Sequence, residues 1–248
     1  MADRRVTGIS TDEAVRRNVA GRSWLARDND TWNPTDFYNW QSDNLRLLLS
    51  KDEVTWIEKN TEPDRQVDVF VNVSCGTQRI PNVLLDVVDV FGALDVSFAA
   101  GVGTQFCCGK AFYSHDKKKA GENITQSSLD RFMAWGATKA VHGCPSCQIV
   151  YSNHVTEKKD AAPDLENQHL SWFLEDRIRE LGDRVPWRRD LNRRVLVATC
   201  HAGVTDIHQS TSDSVDEIMK LIPGVELVGH IAETPRGAPC DTMYPGGP

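Results

Sequence analysis

Five cysteines carry the chemistry of this chain: Cys75, the doublet Cys107-Cys108, and the pair Cys144 and Cys147. Gaps of 31 and 35 residues separate these three groups, and the pair has the spacing C-x-x-C. Glycine follows the doublet in F-C-C-G, and the pair lies in H-G-C-P-S-C. Thiolates are soft, electron-rich ligands, and five of them gathered in one pocket suit iron–sulfur chemistry. A lone C-x-x-C also serves as half of a zinc site or as a thioredoxin-like redox pair. A tetrahedral zinc site of four cysteines gains nothing from a fifth thiolate, and a redox pair would leave Cys75 and the doublet idle. The residues point to an iron–sulfur redox protein. Its rivals are a zinc- or iron-holding structural or assembly protein and a metal-free thiol–disulfide exchanger.

Bulk properties narrow the class. The chain has 248 residues, 40% of them hydrophobic, enough to bury one large core or two small ones. A net charge of -7 argues against nucleic-acid binding. The densest cationic stretches, Lys117-Lys118-Lys119 and the arginines from Arg184 to Arg194, read as solvated faces. Met1 leads into a polar stretch with no apolar signal segment, and no run of 18 or more apolar residues occurs, so a cytoplasmic protein without a membrane span is expected. Seven cysteines in such a compartment are more readily ligands or catalysts than disulfides.

The elements that must position the cysteines read as α/β from Gln66 onward. Val67–Val73 is an expected strand that delivers Ser74-Cys75-Gly76 at its C-terminal end. A helix over Pro81–Phe91 and a strand over Leu94–Phe98 follow, then a Gly-rich turn, Gly101 to Thr104, into the doublet. A helix over Asn123–Trp135 leads to a strand over Lys139–His142, which ends in the C-x-x-C segment. Further on, Leu165–Leu181 reads as a helix and Arg194–Thr199 as a strand ending at Cys200-His201. Asp213–Ile222 reads as a helix and Val225–Gly229 as a strand. Cysteines thus recur at the C-terminal ends of strands, where open α/β sheets bind ligands. No G-x-G-x-x-G or G-K-[ST] loop supports a nucleotide site. Residues 1–65 differ: Trp24, Trp32, Trp40 and Trp56 stand in a poorly periodic stretch with short helix signals at Thr11–Ala14 and Asp43–Leu49. This reads as an arm whose aromatic anchors pack on the chain's own body or on a partner.

The pattern C-x31-C-C-x35-C-x-x-C, with glycine after the doublet, resembles the cysteine-rich CCG domain of the heterodisulfide reductase B subunit family. The resemblance covers roughly residues 66–248. It implies Rossmann-like parallel sheets in two pseudo-repeated CCG-type halves, 66–190 and 191–248, behind the N-terminal Trp-rich arm of residues 1–65. It also implies one [4Fe-4S] cluster, noncubane or cubane, held by Cys75, Cys107, Cys108, Cys144 and Cys147. In the second half only Cys200 and Cys240 match, Asp241 follows Cys240, and no second C-x-x-C occurs, so a second cluster is not expected. Cys200 and His201 are either packed relics or groups facing the cluster cavity. His142 is either a donor to a cluster sulfur or a satisfied core histidine. Backbone amides around Gly76, Gly109 and Gly143 are expected to donate to sulfurs, and glycine there would let the chain approach the cluster closely.

The functional expectation is an iron–sulfur subunit relaying single electrons within a heterodisulfide-reductase-like or succinate-dehydrogenase-like complex. Its partners would be a flavoprotein or a ferredoxin-like subunit, with membrane association only through them. The family's disulfide cleavage places its substrate between two clusters, so a thiol–disulfide reductase of that type is the rival enzyme. No catalytic side chain is assigned.

Overall fold

In the computed structural model the described residues are 46, 49–53, 63–75, 81–101, 104–113, 116–188, 191–197 and 211–230. They form two parallel sheets. The first has four strands, β1 (Val69–Asn72), β2 (Phe98–Gly101), β3 (Lys139–His142) and β4 (Glu166–His169), in the order β2-β1-β3-β4. All its pairings are parallel, and Asn72 stands level with both Gly101 and His142. The crossovers carry helices α1 (Pro81–Ala93), α2 (Lys110–Tyr113), α3 (Lys118–Ala134) and α4 (Pro145–Glu157), and α5 (Leu170–Leu181) follows β4. The second sheet pairs β5 (Arg193–Val197) with β6 (Val225–His230) across α6 (Thr211–Leu221).

Parallel strands covered on both faces need apolar residues at successive positions, and every residue of β1 is buried. Val69, Val71 and Val73 join Leu85, Phe91 and Phe173 on the face covered by α1 and α5; Leu49, upstream of the α/β region, is buried in the same cluster. Phe70 points the other way, into Phe106, Leu129, Phe132, Trp135 and Tyr151 beneath α3 and α4. This is a three-layer α/β/α arrangement. A smaller cluster of Leu94, Ile178, Leu181 and Val185, with Ile218 and Leu221 against it, connects α5 to α6.

Four elements depart from the sequence expectation. The strand expected over Leu94–Phe98 begins only at Phe98, because the preceding residues stop α1. Val96 N donates to Phe91 O and Asp95 N to Gly92 O, with Asp95 at φ 52°. This is a Schellman closure with a non-glycine residue in the left-handed position. The helix expected from Leu165 begins at Leu170, since residues 166–169 pair with β3 as a polar edge strand. His169 then caps α5, its side chain accepting from Ser171 N at 3.2 Å. Helix α4 was not foreseen: its apolar periodicity is weak, and its start is marked only by Pro145 at the first turn. Helix α3 also begins five residues earlier than expected, over a charged stretch without apolar spacing. The tryptophan arm lies outside the described residues except for Arg46, Leu49–Glu53 and Pro63–Arg65.

Candidate metal centre

The strand order reverses between β1 and β3, and ligands of doubly wound sheets gather at such a switch, beyond the carboxyl ends of the strands. Cys75 lies three residues past β1 and is half-buried; Cys144 lies two residues past β3. Cys107 and Cys108 follow β2 by way of a single turn of 3-10 helix, Thr104–Phe106. Three neighbouring strands therefore deliver all five cysteines to one edge of the sheet, every one as a thiol.

Four of the sulfurs meet. Cys147 Sγ lies 3.4 Å from Cys108 Sγ and donates to it, although the two residues are 39 apart in sequence. Cys107 also interacts with Cys108, and Cys147 with Cys144. The order of contact is Cys107, Cys108, Cys147, Cys144. Cys108 is pulled well below the ordinary thiol range by the hydrogen bonds from Cys107 and Cys147, aided by the Lys110 amide and against the cost of burial. Cys147 moves up, because its proton serves the Cys108 and Cys144 sulfurs and it is itself buried. Cys144 comes down to about 7 through the Cys147 thiol and the amides of Cys147 and Ser146, although no side-chain capping hydrogen bond closes there. It occupies the N-cap of α4, where the helix end favours negative charge.

The loop that holds the doublet is fastened by groups the sequence reading missed. Ser128 Oγ donates to Cys107 O at 2.8 Å, and Thr125 Oγ1 lies 2.9 Å from Cys108 O and 2.8 Å from Gly121 O, sharing one proton between them. Arg131 Nη1 reaches Gln105 O at 3.3 Å. These three side chains recur every third residue of α3, so one row of polar groups on its inner face binds the carbonyls of 105, 107 and 108. From α4, the buried Tyr151 hydroxyl donates to Phe106 O at 3.1 Å. Burial and the nearby cysteines raise its pKa, which keeps it a donor. The available signal was polar residues at buried helical positions, weaker to the eye than cysteine.

Glycine at 109 is required by the fold itself. Its amide donates to Cys107 Sγ at 3.3 Å. Its φ is +77°, and an added Cβ would sit 2.7 Å from Gly121 O. The close approach is to helix α3. Gly109→Ala should therefore destabilise the fold by at least about 2 kcal/mol, measured by urea unfolding, and an unaltered midpoint would refute this packing.

Near Gly143 the amides directed at sulfur are those of Ser146 and Cys147, on Cys144, while the Gly143 amide itself donates to Asn72 O at 3.2 Å and extends the β1–β3 ladder. His142 is fully buried, with Nδ1 3.3 Å from Asn72 Nδ2 and Nε2 2.9 Å from Asn167 Oδ1, and its ring stacks on Tyr151 at 4.7 Å. Both ring nitrogens are engaged by asparagines, the arrangement of a satisfied core histidine. Gly76, Cys200, His201 and Cys240 lie outside the described residues.

Burial holds His142 near pKa 4, and His169 at the end of β4 is lowered to about 4 in the same way. Both folded values lie below 6.5, so the unfolded chain takes up protons first. The stabilising contribution is complete above pH 6.5 and is lost as pH falls toward 4. His142 alone should cost about 2 kcal/mol of stability between pH 7 and pH 5, with His169 adding in the same direction. Urea midpoints of the metal-free chain at the two pH values check this, and equal midpoints would contradict it.

Residues 69–151 match the family model of the CCG cysteine-rich domain. The match runs from the first residue of β1 to Tyr151, 83 of the 248 residues, and takes in Cys75, Cys107, Cys108, Cys144 and Cys147. The CCG domain is found in iron–sulfur oxidoreductase subunits. No curated protein and no solved structure matches the chain.

The CCG domain implies iron–sulfur binding, and the donor set tests that chemistry. Soft thiols converge from separate loops, two already biased toward thiolate, with backbone amides aimed at sulfur. The donors fit. Their present spacing is that of a thiol hydrogen bond: 3.4 Å between Cys108 and Cys147, against about 3.8 Å for two thiolates on one tetrahedral metal with 2.3 Å bonds. Among the described residues no three or more Cys, His, Asp or Glu are grouped so as to hold a metal ion. Among the described residues no helix is long and apolar enough to cross a membrane.

Proposed function

We propose that this protein is the iron–sulfur subunit of an oxidoreductase complex, with Cys75, Cys107, Cys108, Cys144 and Cys147 holding one [4Fe-4S] cluster. The observation that carries the reading is the contact of Cys107, Cys108, Cys147 and Cys144 at the switch point of the sheet. When bound, such a cluster accepts and releases single electrons. The chain's own part is to bind, orient and shield. Ser128, Thr125 and Tyr151 fix the doublet loop, and the apolar layer of Phe106, Phe132 and Leu129 limits water. The amides of Gly109 and Lys110 offset negative charge on sulfur. The partners in this reading are a flavoprotein or a ferredoxin-like subunit, with the complex cytoplasmic or peripheral to a membrane. The 191–248 segment is read as a degenerate second CCG-type half.

A second reading rests on a specific feature. Cys144 at a helix N-cap, held near pKa 7 beside a buried Cys147 whose pKa is raised, is the arrangement of a redox-active C-x-x-C pair. A thiol–disulfide reductase would use it. Reductive titration of anaerobically purified protein separates the two. The subunit reading expects one electron taken up per chain, with bleaching of visible absorbance and a paramagnetic signal. Two electrons per chain without visible absorbance would instead establish the dithiol.

A further inference from the structure

Helix α1 is apolar on more than its core side. Leu85 and Phe91 are buried in the core, yet Val83, Asp86, Val87 and Val90 recur at helical spacing along another face. Val83 and Val90 stay 39% and 42% exposed, and Val87 is half-buried. The rise from Val83 to Val90 is about 10 Å. Helices α3 and α5 carry charges of both signs, as solvent-facing helices do, whereas the only charges on α1 are Asp86 and Asp89. A helix that is apolar all round is one that something covers. Asp86 enters no ion pair among the described residues. The stripe therefore calls for a partner that is apolar and cationic.

The chain enters this side of the sheet from upstream. Leu49 is buried in the cluster that holds Leu85 and Phe91. It stands directly before a reciprocal capping box, in which Ser50 N donates to Glu53 Oε2 at 2.9 Å and Glu53 N donates to Ser50 Oγ at 3.4 Å. Leu49 is thus a fixed anchor on the α1 face, and the N-terminal arm is tethered there. Residues 1–27 carry six arginines against three acidic residues, with no lysine. One stretch of the arm joins cations to apolar groups: Arg22, Trp24, Leu25 and Arg27. An indole buries a large apolar area, and a guanidinium pairs with a carboxylate in fixed geometry. The 22 residues from Arg27 to Leu49 span about 70 Å at full extension, so both ends of the stripe are within reach.

We infer that residues 22–27 dock on α1 of their own chain, with Trp24 and Leu25 over Val83, Val87 and Val90 and an arginine on Asp86. The contact is separate from the cysteine centre and is read without reference to iron content. Full-length protein with the photo-crosslinker p-benzoylphenylalanine in place of Trp24 tests it. After irradiation, the crosslink should map to residues 83–90 in material of monomer mass. Val83→Lys combined with Val90→Lys should lower its yield about tenfold, and Asp86→Arg alone about threefold. All three side chains are exposed, so far-ultraviolet circular dichroism should not change. A crosslink to 83–90 found only at dimer mass would give the stripe to a second copy and overturn the inference. So would the absence of any crosslink to α1, or a yield that Asp86→Arg and the double substitution both leave unaltered.

Discussion

Cys108→Ser should strip the protein of iron, lowering its content in anaerobically purified material more than tenfold, beyond the 10–100-fold affinity losses that even groups behind the ligands produce. Cys108 is chosen because its sulfur is the point at which the others converge, receiving Cys107, Cys147 and the Lys110 amide. Serine keeps the size and removes the soft donor, so the fold should survive while the centre does not. Cys147→Ser should act alike, since Cys147 is the sulfur in contact with Cys108 from the opposite loop. Iron and sulfide assays, with circular dichroism as the check on folding, decide the matter. Full iron in a folded Cys108→Ser protein would remove Cys108 from the ligand set.

The second large effect is expected at Phe70, a core residue that is itself no donor. Its ring is fully buried and packs against Phe132 at 4.7 Å, Phe106 at 5.0 Å and Trp135 at 6.1 Å. An aromatic-to-alanine change in such a position leaves a cavity and costs about 3–5 kcal/mol. For a chain of this size that corresponds to a melting temperature lower by about 10 °C. Phe106 lies directly before the doublet, so the cavity also loosens the loop that carries Cys107 and Cys108. Phe70→Ala should therefore lose iron faster to a chelator than wild type, whereas Phe91→Ala, in the cluster on the other face of the sheet, should destabilise comparably without that acceleration. Equal chelation rates for all three proteins would detach the aromatic layer from the site.

What the sequence made legible was the cysteine spacing and the strongly apolar strands. Val69–Asn72 and Lys139–His142 could be read because β1 is buried on both faces and β3 ends at a motif. The parallel α/β character followed from these, and the four-stranded sheet agrees with it. Edge strand β4 was not legible, since Glu-Asn-Gln-His carries no strand signal and is held by pairing to β3. Asp95 in the left-handed position was equally hidden: a Schellman closure normally announces itself by glycine, and here the register of β2 moved with it. At the site, cysteine type revealed the donors, but the row Thr125, Ser128 and Arg131 depends on a helix whose inner face turns toward one loop, a tertiary fact. Gly109 was picked out for closeness to a cluster, and its crowding against the backbone of Gly121 is a tertiary constraint that the sequence did not announce.

The most direct measurement is elemental: iron, zinc and acid-labile sulfide per chain in wild-type protein purified without oxygen. Ligation of one [4Fe-4S] cluster predicts about four iron and about four sulfide per chain, with zinc negligible. A single zinc per chain with no sulfide, or thiols with no metal at all, would contradict it.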